Sequence, residues 1–197
     1  MLTPAHETAL VRRLKEHDER AFTEFVQVFQ HQVFNLIYRM LGNREEAEDV
    51  AQEVFITIYK NVDTFRGECR LSTWIYRICT NHCRNRIKYM VRRHAQEHRE
   101  YQDEMARLQP RDGHASAPTA GQVERPDQMA EGRQMEKLVQ QAILELDEEH
   151  RTVIVLRDVK NLSYQEICEI TGLAEGTVKS RLHRARFALK EKLKDVI

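Results

Sequence analysis

Near the C-terminus, Lys179, Ser180, His183 and Arg184 recur at a spacing that, at about 100 degrees per residue, puts them with Gly176 on one face of a helix. Val178, Leu182, Ala185 and Leu189 fall on the other face. The chemistry available to the polar face is that of a DNA major groove. Gly176 admits a close backbone approach, Lys179 and Arg184 offer donors to guanine edges and phosphates, and Ser180 and His183 exchange hydrogen bonds with bases. Thr177, Arg181 and Arg186 flank the face as phosphate contacts. A basic amphipathic helix on its own is more often just solvated. Here it follows a short helix with a Ser163/Glu166 capping box, inward Ile167 and Ile170, and a glycine stop at Gly172, the helix-turn-helix arrangement that reads duplex DNA.

A second set of groups lies between Phe65 and Lys88. On a helix capped by Ser72, the residues Thr73, Tyr76, Arg77, Thr80, Asn81, Arg84 and Lys88 turn away from an inner stripe of Leu71, Trp74, Ile75, Ile78 and His82. An aromatic among cations and an amide suits single-stranded nucleic acid: stacking for bases, charge for phosphates, an amide for a base edge. The preceding segment, Phe65-Arg66-Gly67-Glu68-Cys69-Arg70, has the makings of a pocket for an extruded base, against the plainer reading of a core phenylalanine beside solvated arginines. A third set, Asp49, Gln52, Glu53 and Ile56, follows i, i+3, i+4, i+7 spacing. An isoleucine ringed by acids and an amide fits docking of a basic, partly apolar partner; the alternative is a solvated helix with one stray apolar residue.

The elements that must position these sets are all helical, because apolar residues recur at helical spacing and no alternating β-branched segment is bounded by hairpin turns. One helix near 5–17 is weakly amphipathic. Another after Asp18 runs through Phe22, Phe25, Val26 and Phe29 to Leu41 and stops at Gly42, and Asn43 with Glu46 makes a capping box for the next. The pattern fades past Tyr89 and returns at Met135. Between them, residues 93–132 hold Pro110, Pro118, Pro126 and a small polar run, HASAPTAGQ, too poor in apolar groups to offset chain ordering. The expectation is an all-α chain of two small domains, 1–92 and 133–197, joined by a flexible linker at 93–132. The length of 197 residues and an apolar content of 41% fit two small cores better than one large one.

Formal net charge is zero, but its distribution is uneven. Basic residues crowd 66–93 and 176–194, while Glu45, Glu46, Glu48, Asp49 and Glu53 crowd the docking helix, which points to nucleic acid at two places and protein at a third. The charged N-terminus lacks the apolar core of a signal peptide, so a soluble, cytoplasmic protein without direct membrane insertion is expected. The four cysteines, Cys69, Cys79, Cys83 and Cys168, form neither a CxxC nor a zinc-finger pattern and read as free thiols. Cys79, Cys83 and His82 lie within one helical turn but supply too few ligands for a zinc site. Asp49 and Glu53 share a face, yet two carboxylates on an exposed helix are normally solvated. No metal, cofactor or catalytic site is expected.

Taken together, AEDVAQEVFITIYKNVDTF, LSTWIYRICTNHCRNRIK and, much later, LSYQEICEITGLAEGTVKSRLHRAR resemble the extracytoplasmic-function sigma factors, of the sigma-70 family of bacterial RNA polymerase subunits. The resemblance spans nearly the whole chain apart from the linker and the first residues. It implies a region 2 domain at 1–92 and a region 4 helix-turn-helix domain at 133–197. Core polymerase would then dock on Asp49, Gln52, Glu53 and Ile56. The promoter minus-10 strand would be held by Phe65, Arg66, Tyr76, Arg77, Asn81, Arg84 and Lys88, with Trp74 as packing. The minus-35 duplex would be read by Thr177, Lys179, Ser180, Arg181, His183, Arg184 and Arg186. It also implies an anti-sigma factor as partner. The run Cys83-Arg84-Asn85-Arg86 departs from the family pattern, which bears on the promoter sequence and not on the role. The competing reading is a helix-turn-helix regulator of another type, against which stand the absence of βα alternation and the second basic surface.

Overall fold

Why the chain breaks into helices where it does is set mainly by its caps. The computed structural model describes residues 3–107 and 128–194, and among them every regular element is helical. Helix α1 (Pro4–Lys15) starts with Thr3, whose hydroxyl accepts from the His6 N–H, and buries Leu10 and Leu14. Helix α2 (Glu19–Leu41) starts where the Asp18 carboxylate accepts from the N–H groups of Arg20 and Ala21, and stops at Gly42 with φ 76°. Helix α3 (Arg44–Asn61) is capped by Asn43, which accepts from the Glu46 N–H. The expected return bond from Glu46 is replaced: its carboxylate takes Arg86 at 2.6 Å, because an ionic partner outcompetes a second cap bond. A 3-10 turn, Val62–Thr64, leads into the 65–70 loop.

Helix α4 (Leu71–Arg107) is much longer than its buried stripe. Past Tyr89 the apolar pattern ends, but the sequence up to Pro110 contains neither Gly nor Pro and is rich in Arg, Gln and Glu, so intrinsic propensity carries the helix on. Helix α5 (Gln128–Leu144) likewise begins before the expected domain boundary. Helix therefore occupies both ends of the stretch expected to be linker, and the remainder of that stretch, 108–127, lies outside the described residues. Helix α6 (Glu148–Ile154) passes into a π-helical turn, Val155–Val159, and is followed by α7 (Tyr164–Thr171) and α8 (Glu175–Leu193).

The two halves pack against each other, and their buried residues form one continuous apolar cluster from Leu10 to Ala185. The second half finishes the end of α2. Arg151 donates to the Met40 carbonyl at 2.8 Å, satisfying one of the carbonyls a helix terminus leaves unpaired. Arg39 and Gln140 exchange bonds of 2.8 and 3.2 Å beside it. Leu144 fills the space over Gly42, where any Cβ would overlap its methyl groups. Farther along, Lys160 donates to the Gln32 carbonyl at 3.1 Å, and Arg84 pairs with Glu148 at 3.0 Å.

Candidate nucleic-acid interface

Both arms of the α7 capping box are made: Ser163 Oγ accepts from the Glu166 N–H at 3.2 Å, and the Glu166 carboxylate accepts from the Ser163 N–H at 2.8 Å. Burial works against the ionised Glu166, but the Ser163 bonds and the charge of Arg70 outweigh it and hold the carboxyl below its ordinary range. Gly172, with φ 72°, turns the chain into α8. Val178, Leu182 and Ala185 are buried as their spacing requires, and Leu189 packs at the edge of the core.

This fixes the opposite face outward. Gly176, Lys179, Ser180, His183, Arg184 and Arg186 are exposed, while Thr177 and Arg181 are half-buried. Around the Gly176 α-carbon there is open space, as a close backbone approach needs. The cations differ in their engagements. Lys179 pairs with Glu175 at 2.6 Å, which raises its pKa, Arg181 with Glu149 at 2.7 Å, and Arg186 with Asp158 through bonds of 2.6 and 3.0 Å. Arg184 makes no ion pair among the described residues. A cleft of about 420 Å³ on α8 is lined by Tyr164, Lys179, Leu182, His183, Arg186, Phe187 and Lys190. Phe187 is 63% exposed and was not singled out from sequence; its position off the Val178–Leu182–Ala185 stripe is the signal that could have found it.

The 65–70 loop and α4 form a second polar surface. Arg66, Gly67, Glu68 and Arg70 are exposed, and Phe65 is buried against Trp74 with ring centroids 5.5 Å apart. A cleft of about 510 Å³ opens beside the loop, lined by Thr64, Phe65, Arg66, Glu68, Cys69, Trp74, Arg77 and, from α7, Glu169. On α4, Arg77, Asn81 and Lys88 are exposed as expected. Tyr76 is not: it is 7% exposed and its hydroxyl donates to Gln32 at 3.2 Å. Thr73 and Thr80 are buried too, and Arg84 is half-buried in its pair with Glu148. The reason is that α6 and α7 lie on this face, so α4 is covered on two sides where one was expected. His82, expected inside, is half-buried and reaches Thr57 at 3.0 Å and Glu53 at 3.4 Å.

On α3, Asp49 and Gln52 are exposed and Ile56 is 53% exposed, with Tyr59 at 36% extending the apolar spot. Glu53 is engaged by Arg86 at 2.7 Å, so Asp49 presents the less encumbered negative charge. Cys79 and Cys83 are fully buried, and burial pushes the Cys83 thiol up to about 12, which leaves both as packing groups. Among the described residues no cluster of His, Cys, Asp and Glu fits a metal ion, and no helix is long and apolar enough to cross a membrane.

Comparison with known proteins maps onto these two surfaces. Residues 25–95 match Sigma-70 region 2, and residues 136–189 match Sigma-70, region 4. The ECF RNA polymerase sigma factor SigW of Bacillus subtilis is 38% identical over 187 residues, covering 94% of this chain and 96% of SigW. Among solved structures, CnrH in complex with the cytosolic domain of CnrY superposes with TM-score 0.65 at 20% identity, covering 96% of this chain and 97% of that one. The sigma factor RpoE of Bartonella quintana, solved with the anti-sigma factor NepR, gives TM-score 0.58 at 24% identity, with 88% and 96% coverage.

Proposed function

Because the chain belongs to the extracytoplasmic-function sigma factors of the sigma-70 family, we propose that it works as the promoter-recognition subunit of bacterial RNA polymerase, with no catalytic site of its own. One observation carries this reading most directly. The two matched regions coincide with the two basic surfaces, α4 with its loop in one and the α7–α8 helix-turn-helix in the other. A one-site regulator would need only the second.

In this reading the two halves divide the work, residues 1–92 as the region 2 domain and 133–197 as the region 4 domain. Asp49, Gln52, Glu53 and Ile56 dock on core polymerase. Phe65, Arg66, Arg77, Asn81 and Lys88 serve the minus-10 strand, joined by Tyr76 and Arg84 once α6 and α7 leave that face. The outer side of α8 reads the minus-35 duplex. The protein then acts where the polymerase is, in the cytoplasm. The packed arrangement, with Tyr76 covered and Arg84 paired, is the one that an anti-sigma partner would hold, as NepR is bound to RpoE of Bartonella quintana. Co-elution with core polymerase, followed by selection of fragments from a genomic DNA pool, tests the reading. The complex is expected to retain fragments that core polymerase alone does not. Selection by the free chain equal to that of the complex would favour a helix-turn-helix regulator instead.

A further inference from the structure

Helix α1 takes no part in any surface assigned so far, yet its polar side chains reach the 65–70 loop from outside. Lys15 Nζ donates to the Phe65 carbonyl at 2.7 Å, at the start of the loop. At the other end the Leu71 N–H, the first donor of α4, is received by Glu7 Oε1 at 3.1 Å. His17, just past α1, lies 3.6 Å from Asp63 in the preceding 3-10 turn. Both hydrogen bonds join residues far apart in sequence, and both fall on the main chain at the ends of the loop and not on its outward side chains. Phe65, Arg66 and Cys69 of the loop line two clefts at once, one of about 240 Å³ shared with Glu7, Thr8, Val11 and Lys15 of α1, and a larger one shared with Trp74 and Arg77.

We propose that α1 is a brace that sets the shape of the minus-10 loop, with Lys15 and Glu7 as positioning residues for the captured base. This rests on the reading of that loop given above. The physical argument concerns ordering. The loop contains Gly67 at φ 76° and has few buried side chains of its own, so its conformation must be imposed from outside. A base pocket discriminates only if its walls are fixed before the base arrives. Two charge-assisted bonds on the main chain at the two ends of the loop fix it without occupying the side on which a base would sit.

The test is transcription by the holoenzyme on a template library randomised over both promoter elements, with transcripts sequenced against templates. Lys15→Met and Glu7→Ala are expected to lower output from the best minus-10 sequence roughly tenfold, the cost of about one hydrogen bond, and to flatten the preference at the captured base. The minus-35 preference should stay as in the wild type. Glu7→Gln keeps an acceptor oxygen and Lys15→Arg keeps a donor, so both should restore discrimination. Restoration separates positioning from a loss of folding, and thermal melts of all four variants check the latter. An unchanged minus-10 profile in Lys15→Met and Glu7→Ala would overturn the brace while leaving the minus-10 reading intact. A wild-type holoenzyme with no minus-10 preference at all would remove that reading, and the brace with it.

Discussion

Arg184 and Arg186 are two residues apart on the same helix, yet their surroundings differ. Arg186 is already held by Asp158 through two bonds, whereas Arg184 projects from the exposed face beside His183. Arg184→Ala is expected to cost roughly 1–3 kcal/mol on the favoured minus-35 duplex and to change which sequence is favoured. Arg186→Ala should weaken all duplexes alike. Anisotropy titrations over a duplex panel check this, and equal, sequence-independent losses would make Arg184 a phosphate contact. On α3, Ile56→Ala should weaken core polymerase binding about tenfold with helicity unchanged, since the side chain is half exposed and supports nothing inside. Unaltered affinity would remove the docking role. The faces of α8 and α3 were legible in the sequence because each helix has one buried side, which periodicity reports. Tyr76, Thr73 and Thr80 were not, because periodicity describes a helix against one neighbour and α4 has a second layer over it.

At the level of elements, the stops and starts written in short-range chemistry were readable. Asp18, Gly42, Asn43, Ser163 and Gly172 all sit at helix ends and do what their types allow. Two signals failed for physical reasons. Ser72 has the right type for a cap, but the orphan N–H of Leu71 is satisfied by Glu7 from α1, a partner no local pattern can reveal. Helix α4 runs well past the end of its apolar stripe, because the loss of a burial stripe marks where packing stops, not where helix stops. Ser163→Ala tests the value of the cap that holds the helix-turn-helix together: a loss of about 1 kcal/mol is expected, read as a lower melting temperature, with duplex binding weakened in step. A melting temperature equal to that of the wild type would mean that packing of Ile167 and Ile170 alone sets α7.

For the whole molecule, the finding that composition could not supply is the shared interface. Leu144 over Gly42, Arg151 on Met40 and Lys160 on Gln32 are isolated residues with no pattern between them, so the sequence reads as two separate cores. The closed arrangement brings Glu148, Glu166 and Glu169 against the basic loop and α4, with Glu166 3.6 Å from Arg70. Trp74, the single tryptophan, lines that contact and reports on it. Leu144→Asp puts a charge into the apolar contact over Gly42 and should part the halves, giving a red-shifted Trp74 emission and a larger hydrodynamic radius. Emission and radius unchanged from the wild type would show that the polar bonds suffice to hold the closure. The central activity is the conversion of core polymerase into a promoter-specific enzyme. Run-off transcription with core polymerase and this chain as the only added factor measures it: transcripts of defined length from templates carrying the selected minus-35 and minus-10 elements, and none when either element is scrambled, are the expected result. Promoter-independent transcripts, or none from any template that the complex retains, would contradict it.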